Sequence, residues 1–92
     1  YNNNFTSYKL GAFKDLNRVR YIDCSLNNLS QTSVNDMVDD LYDNYTAVPR
    51  GGVTINIKNN VGIGASLPTL PSEDQIDKIN ILKTKGWNFV YF

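Results

Sequence analysis

FKDLNRVRYIDCSLNNL, residues 13–29, places apolar side chains at two periods in a single pass. Phe13, Leu16, Val19 and Ile22 recur every third residue; Ile22 and Cys24 then alternate, and Asn27 and Leu29 close the run. Alternation at period two puts Ile22 and Cys24 on one face of a short strand. An inward Asn27 can satisfy backbone groups released where the chain turns out of the ladder.

The same close recurs on both sides of this stretch. Upstream, Asn3-Asn4-Phe5 matches Asn27-Asn28-Leu29, so the chain is expected to open near the end of an incomplete repeat, with an irregular or short helical crossing over 6–12. Downstream, VTINIKNN at 53–60 alternates Val53, Ile55 and Ile57 inward with Thr54, Asn56 and Lys58 outward. Its Ile55, Ile57 and Asn60 follow Ile22, Cys24 and Asn27 at one constant offset. WNFVYF at 87–92 alternates Trp87, Phe89 and Tyr91 with Asn88, Val90 and Phe92, and pairing Gly52 with Gly86 puts Phe89 and Tyr91 in the places of Ile55 and Ile57.

Between these strands the period changes. Val34, Met37, Val38, Leu41, Tyr42 and Tyr45 fall at helical spacing, with Asp36, Asp39, Asp40 and Asp43 assigned to a solvated opposite side. Ser33 with Asp36 reads as a capping box, and 44–52, with Pro49 and two glycines, ends the helix. Residues 61–71 read as a loop in which Gly62-x-Gly64 makes a turn. Ser72 through Gln75 then opens a second helix with another capping box; Ile76, Ile79 and Leu82 form its buried stripe, and Lys83, Lys85 and Gly86 close it.

The pattern L-x-x-L-x-x-L-x-L-x-x-N-x-L over 13–29 resembles the strand-forming half of a leucine-rich repeat, whose period is about 20–29 residues. The resemblance implies an α/β leucine-rich-repeat solenoid end: three parallel strands, two intervening helices and a C-terminal capping repeat. The chain then divides into the end of an upstream repeat (1–12), two repeats (13–52 and 53–86) and a capping strand (87–92). The spacings from Ile22 to Ile55 and from Gly52 to Gly86 exceed the ordinary period because true helices and a long loop fill the convex side. The Asn-rich strand turn, Ser-capped helix and Lys-x-x-Lys-Gly-Trp-type last strand further resemble C-terminal repeats of bacterial surface proteins and tailed-phage virion proteins. That implies an extracellular location, on a bacterial surface or a virion.

In such an array the outward strand positions form rows on a rigid sheet. The registers above give Tyr21, Thr54 and Asn88 as one row, Asp23, Asn56 and Val90 as a second, and Ser25, Lys58 and Phe92 as a third. This polar face with aromatic corners suits a protein or glycan receptor; an ordinary solvated sheet face would carry the same residue types. Two roles therefore compete: a non-catalytic recognition module, and a structural cap that finishes a longer array and binds nothing itself. Self-association is expected through the exposed N-terminal repeat edge, near Phe5, Phe13 and Leu16.

Composition bounds the alternatives. The 92 residues carry nine basic and nine acidic side chains, so no net charge favours a nucleic-acid partner. Histidine is absent, which removes Ser-His-Asp and Cys-His chemistry and histidine metal sites; neither a cofactor nor a metal is expected. The single cysteine, Cys24, is assigned to the core, and the basic residues Lys14, Arg18 and Arg20 to the surface. No apolar run reaches the ~20 residues that span a bilayer, so no membrane insertion is expected.

Overall fold

The computed structural model describes residues 8–13 and 20–91. The expectations for Asn3, Phe5, Lys14, Leu16, Arg18, Val19 and Phe92 lie outside the described residues. Within them the chain runs β1 (Tyr21–Asp23), α1 (Gln31–Ala47), β2 (Val53–Asn56), α2 (Glu73–Thr84) and β3 (Trp87–Val90). The three strands form one sheet in the order β1-β2-β3, and both pairings are parallel. Ile22 stands beside Ile55 and Ile55 beside Phe89, the register that the sequence offsets predict.

The alternating strand residues create one apolar layer. Val53, Ile55, Ile57, Trp87 and Phe89 are buried together with Val34, Met37, Val38 and Leu41 of α1 and Ile79 and Leu82 of α2. Ile22, Cys24, Tyr42, Tyr45 and Tyr91 pack partly buried against this core. Parallel strands need a crossover, and here each crossover is a helix laid on the same apolar layer. Trp87 is anchored by its indole N–H, which donates to the Arg50 carbonyl at 2.7 Å, and it stacks on Phe89 with ring centroids 6.2 Å apart. Gly86, at φ +90°, makes the sharp exit from α2 into β3. A methyl group there would lie 3.3 Å from Gly51 Cα, so close backbone approach as well as backbone angle favours glycine.

The start of α1 differs from expectation, and α2 begins where expected but without its box. Helix α1 begins at Gln31 with Ser30 as its N-cap, its hydroxyl accepting the Ser33 N–H at 3.3 Å. Ser33 lies one turn inside, buried, and its hydroxyl accepts the Tyr8 N–H at 3.1 Å, so it is used for tertiary attachment. Ser72 occupies the N-cap position of α2, but its side chain makes no capping bond, so the expected box is not formed. Its hydroxyl meets Gln75 Oε1, and its own N–H donates to Asn35 Oδ1 at 2.9 Å.

The acidic side of α1 is not uniformly solvated. Asp40 is 4 % exposed, and its Oδ2 accepts the Tyr8 hydroxyl at 2.5 Å and the Gly11 N–H at 2.6 Å. The Tyr8 oxygen in turn accepts the Phe13 N–H at 2.8 Å. Burial, reinforced by the bond to Asp40, raises the Tyr8 phenol well above its ordinary pKa. This network pins the irregular 8–13 segment to the flank of α1.

Asp39 clasps the two helices together by accepting from Lys78 Nζ at 2.6 Å and Gln75 Nε2 at 2.9 Å. Burial pushes the Asp39 carboxyl up, but the Lys78 and Gln75 bonds outweigh it and hold it below its usual value; Lys78 is held above its own. The Asp39 contribution is present above the ordinary carboxylate pKa and fades as pH falls through the lowered folded value. That of Lys78 is complete below the ordinary lysine pKa and fades as pH rises through its raised value. Both side chains are about one-third exposed. Asp39→Asn is therefore expected to cost only about 0.5 kcal/mol at neutral pH, with the difference from wild type vanishing in acid, as read from urea unfolding across pH.

One turn occurs twice. Leu26 and Asn59, related by the same offset as Ile22 and Ile55, both adopt left-handed backbone angles, at φ +59° and +61°. Each precedes a buried asparagine, Asn27 or Asn60. Asn27 Nδ2 donates to the Cys24 carbonyl at 3.1 Å, and Asn60 Nδ2 donates to the corresponding Ile57 carbonyl at 2.9 Å. Asn60 also reaches across the sheet: Nδ2 donates to the Cys24 carbonyl at 2.9 Å, and Oδ1 accepts the Leu29 N–H at 3.3 Å. The inward amide therefore ties two successive strand ends together.

Candidate ligand-facing sheet surface

The outward positions of the three strands line up because the ladder is parallel and in register. Tyr21, Thr54 and Asn88 are neighbours in one row, and Asp23, Asn56 and Val90 in the next. Both helices pack on the opposite side, so these side chains are exposed or half-buried. Tyr21 is 60 % exposed, and Asn88 is also open to solvent.

The second row is held by matched local bonds. Asp23 Oδ1 accepts the Ser25 hydroxyl at 2.5 Å and the Ser25 N–H at 2.9 Å, an Asx-turn that ends the strand. Asn56 Oδ1 accepts the Lys58 N–H at 3.1 Å in the same arrangement. The Ser25 bonds hold the Asp23 carboxyl below its usual value, so it remains an anion through the physiological range. The Tyr21 hydroxyl approaches Asp23 Oδ2 at 3.4 Å, linking the first row to the second.

The third row is not an exposed triplet. Ser25 is 6 % exposed, drawn in by its bonds to Asp23, which corrects its assignment to the ligand-facing surface. Lys58 is half-buried beside the Asn56 turn, and Phe92 lies outside the described residues. The surface that the sheet assembles is thus Tyr21, Asp23, Thr54, Asn56, Asn88 and Val90, with Lys58 at its margin.

This arrangement supplies hydrogen-bonding groups, one carboxylate and one aromatic ring on a flat, preorganised support. Among the described residues no group of three or more His, Cys, Asp or Glu side chains is placed to hold a metal ion. Cys24 is half-buried, and burial pushes its thiol up, away from the thiolate form. It lines an apolar cavity of about 290 Å³ with Tyr8, Phe13, Leu29 and Met37. No helix among the described residues is long and apolar enough to cross a membrane.

One surface escapes a reading based on periodicity. In the 61–71 connection Ile63, Leu67 and Leu70 stand exposed at 79, 75 and 45 %. The available signal is compositional, since 59–72 contains no charged residue. Comparisons with protein-family models, curated proteins and solved structures find no match to this chain.

Proposed function

We propose that the chain is a leucine-rich-repeat-like recognition module that engages a protein or glycan receptor through its open sheet surface, as part of a longer bacterial-surface or virion protein. The observation that carries this reading is the pair of outward rows, Tyr21-Thr54-Asn88 and Asp23-Asn56-Val90, left uncovered by either helix. Support for repeat character comes from the turn at Leu26-Asn27 that recurs at Asn59-Asn60, with its left-handed residue and buried asparagine. A row fixed by Asx-turns pays little ordering entropy when a ligand docks, which favours binding by polar groups.

A structural cap is the second reading, favoured by one observation. The inward side of β3 is wholly aromatic where described, with Trp87 and Phe89 stacked and Tyr45 edge-on to Trp87. Such bulk would seal the apolar end of a stack.

Binding to a glycan array and to immobilised cell-surface ectodomains separates the two. Tyr21→Ser and Asn88→Arg are expected to weaken a binder found in this way about tenfold or more, by the scale of interface hot spots, without moving the unfolding midpoint. If no probe binds, or if binding withstands both substitutions while Trp87→Ala and Phe89→Ala act only on stability, the recognition reading fails and the cap stands.

A further inference from the structure

The second outward row of the sheet differs from a plain solvated face in how its polar groups are held. Asp23 Oδ1 accepts both the hydroxyl and the N–H of Ser25, at 2.5 and 2.9 Å. Asn56, its register partner on the neighbouring strand, uses Oδ1 in the same way, accepting the Lys58 N–H at 3.1 Å. One oxygen of each side chain is thus committed to its own turn, and what the pair offers outward is opposite in kind. The ionised Asp23 presents Oδ2, which accepts hydrogen bonds, whereas Asn56 presents Nδ2, which donates them. Neighbouring strands stand about 4.8 Å apart, so acceptor and donor lie side by side at about that spacing.

Adjacent hydroxyls on a ring match this pair, because each hydroxyl both donates and accepts: one gives its proton to the carboxylate while its neighbour takes the amide N–H. A carboxylate or phosphate ligand does not match, since it brings no proton to Asp23 and meets a like charge there. Tyr21 supplies the apolar half of the contact. It is 60 % exposed, and its hydroxyl approaches Asp23 Oδ2 at 3.4 Å, which lays the side chain along the strand toward the second row. The negative face of an aromatic ring attracts the slightly positive C–H bonds that line the apolar face of a pyranose. Size selects in the same direction. Two rows on three strands cover about 10 Å across the sheet and about 7 Å along it. That is the footprint of one or two sugar rings and a small part of the ~800 Å² that each partner contributes to a standard protein interface.

We propose that the ligand of this surface is an uncharged sugar, the terminal hexose of a glycan, with one ring face stacked on Tyr21 and two adjacent hydroxyls bridging Asp23 and Asn56. The assignment deepens the recognition reading and rests on it.

Saturation-transfer NMR and isothermal titration of the full chain with lactose, cellobiose and mannobiose, and with sialyllactose as an acidic counterpart, test this. Binding of at least one neutral disaccharide is expected, and sialyllactose should bind more weakly than lactose or not at all. Tyr21→Ala should weaken the neutral sugar about tenfold or more, and Tyr21→Phe much less, because the ring face remains. Asn56→Asp keeps the acceptor for the Lys58 N–H but exchanges the outward donor for a second carboxylate. It should weaken binding about tenfold, the scale of one hydrogen bond to a charged group, while Ile81→Asp, at an exposed position on α2, should leave it unchanged. Thermal melts establish that the variants stay folded. Failure of every neutral disaccharide to bind overturns the proposal, as does binding indifferent to Tyr21→Ala and Asn56→Asp, or a tighter grip on sialyllactose than on any neutral sugar. A cell-surface ectodomain bound by the wild type and lost in Asn88→Arg, with no sugar bound, overturns the sugar while the sheet reading stands; the absence of every binder removes both.

Discussion

Asn60→Ala is expected to lower the free energy of unfolding by about 3–5 kcal/mol, since it strips partners from several buried backbone groups at once. The wild-type side chain is fully buried, donates to the Cys24 and Ile57 carbonyls and accepts the Leu29 N–H. Alanine leaves the Ile57 carbonyl and the Leu29 N–H beside a small void that cannot hydrate them, while the Cys24 carbonyl keeps only its bond from Asn27. Domains of this size have a total stability of about 5–15 kcal/mol, so the loss is a large share of it. Asn60→Asp keeps the acceptor for Leu29 but turns a buried carboxylate oxygen toward two carbonyls. It should be worse than alanine at neutral pH and recover part of its stability in acid, where the protonated carboxyl can donate again. Urea unfolding followed by tryptophan fluorescence measures all three proteins. A cost below about 1 kcal/mol for Asn60→Ala would mean that the inward amide is not what joins the strand ends.

Asp40→Ala has the next largest expected effect, about 2–4 kcal/mol, because the Tyr8 hydroxyl and the Gly11 N–H lose their common acceptor. The more diagnostic consequence is local. With that acceptor gone, segment 8–13 is held to α1, among the described residues, by the Tyr8 N–H to Ser33 bond and by packing, so trypsin should cut after Lys9 much faster than in the wild type. Tyr8→Phe removes one of the two bonds to Asp40 and should cost about 1–2 kcal/mol. The two substitutions share a partner, so their effects should be markedly less than additive. Simple additivity, or unchanged cleavage after Lys9, would refute the idea that Asp40 secures this segment.

How much of the fold is legible in the sequence follows from how local each determinant is. The register of β1 and β2 can be read because inward apolar residues and the closing asparagine recur at a fixed offset, that of β3 because Gly86 matches Gly52, and period-two geometry leaves little freedom once Ile22, Ile55 and Phe89 share a layer. The burial of Asp40 cannot be read. Spacing along α1 sorts side chains by average polarity, whereas Asp40 is buried by a tyrosine 32 positions away, a partner that no local pattern names. Ser30 and Ser33 illustrate a degenerate signal, since both suit an N-cap and only the attachment of Tyr8 to Ser33 decides between them. Ser25 is misplaced by alternation for a related reason: the pattern extends a strand outward indefinitely, but the Asx-turn at Asp23 ends it within two residues. For the candidate surface, the rows are visible as an alignment of positions. That Asp23 and Asn56 are each locked to the residue two ahead emerges only from the folded backbone.

The backward reach of Asn60 also gives the sheet a polarity. Its amide grips the carbonyl of Cys24, at the end of the strand that precedes it, so the later strand fastens to the earlier one. Lengthening the molecule by tandem copies of the β2-type unit would require every incoming copy to bring its own inward amide. Reversing the sequence order of the units would leave that amide with nothing to clasp, so growth along the axis would be vectorial.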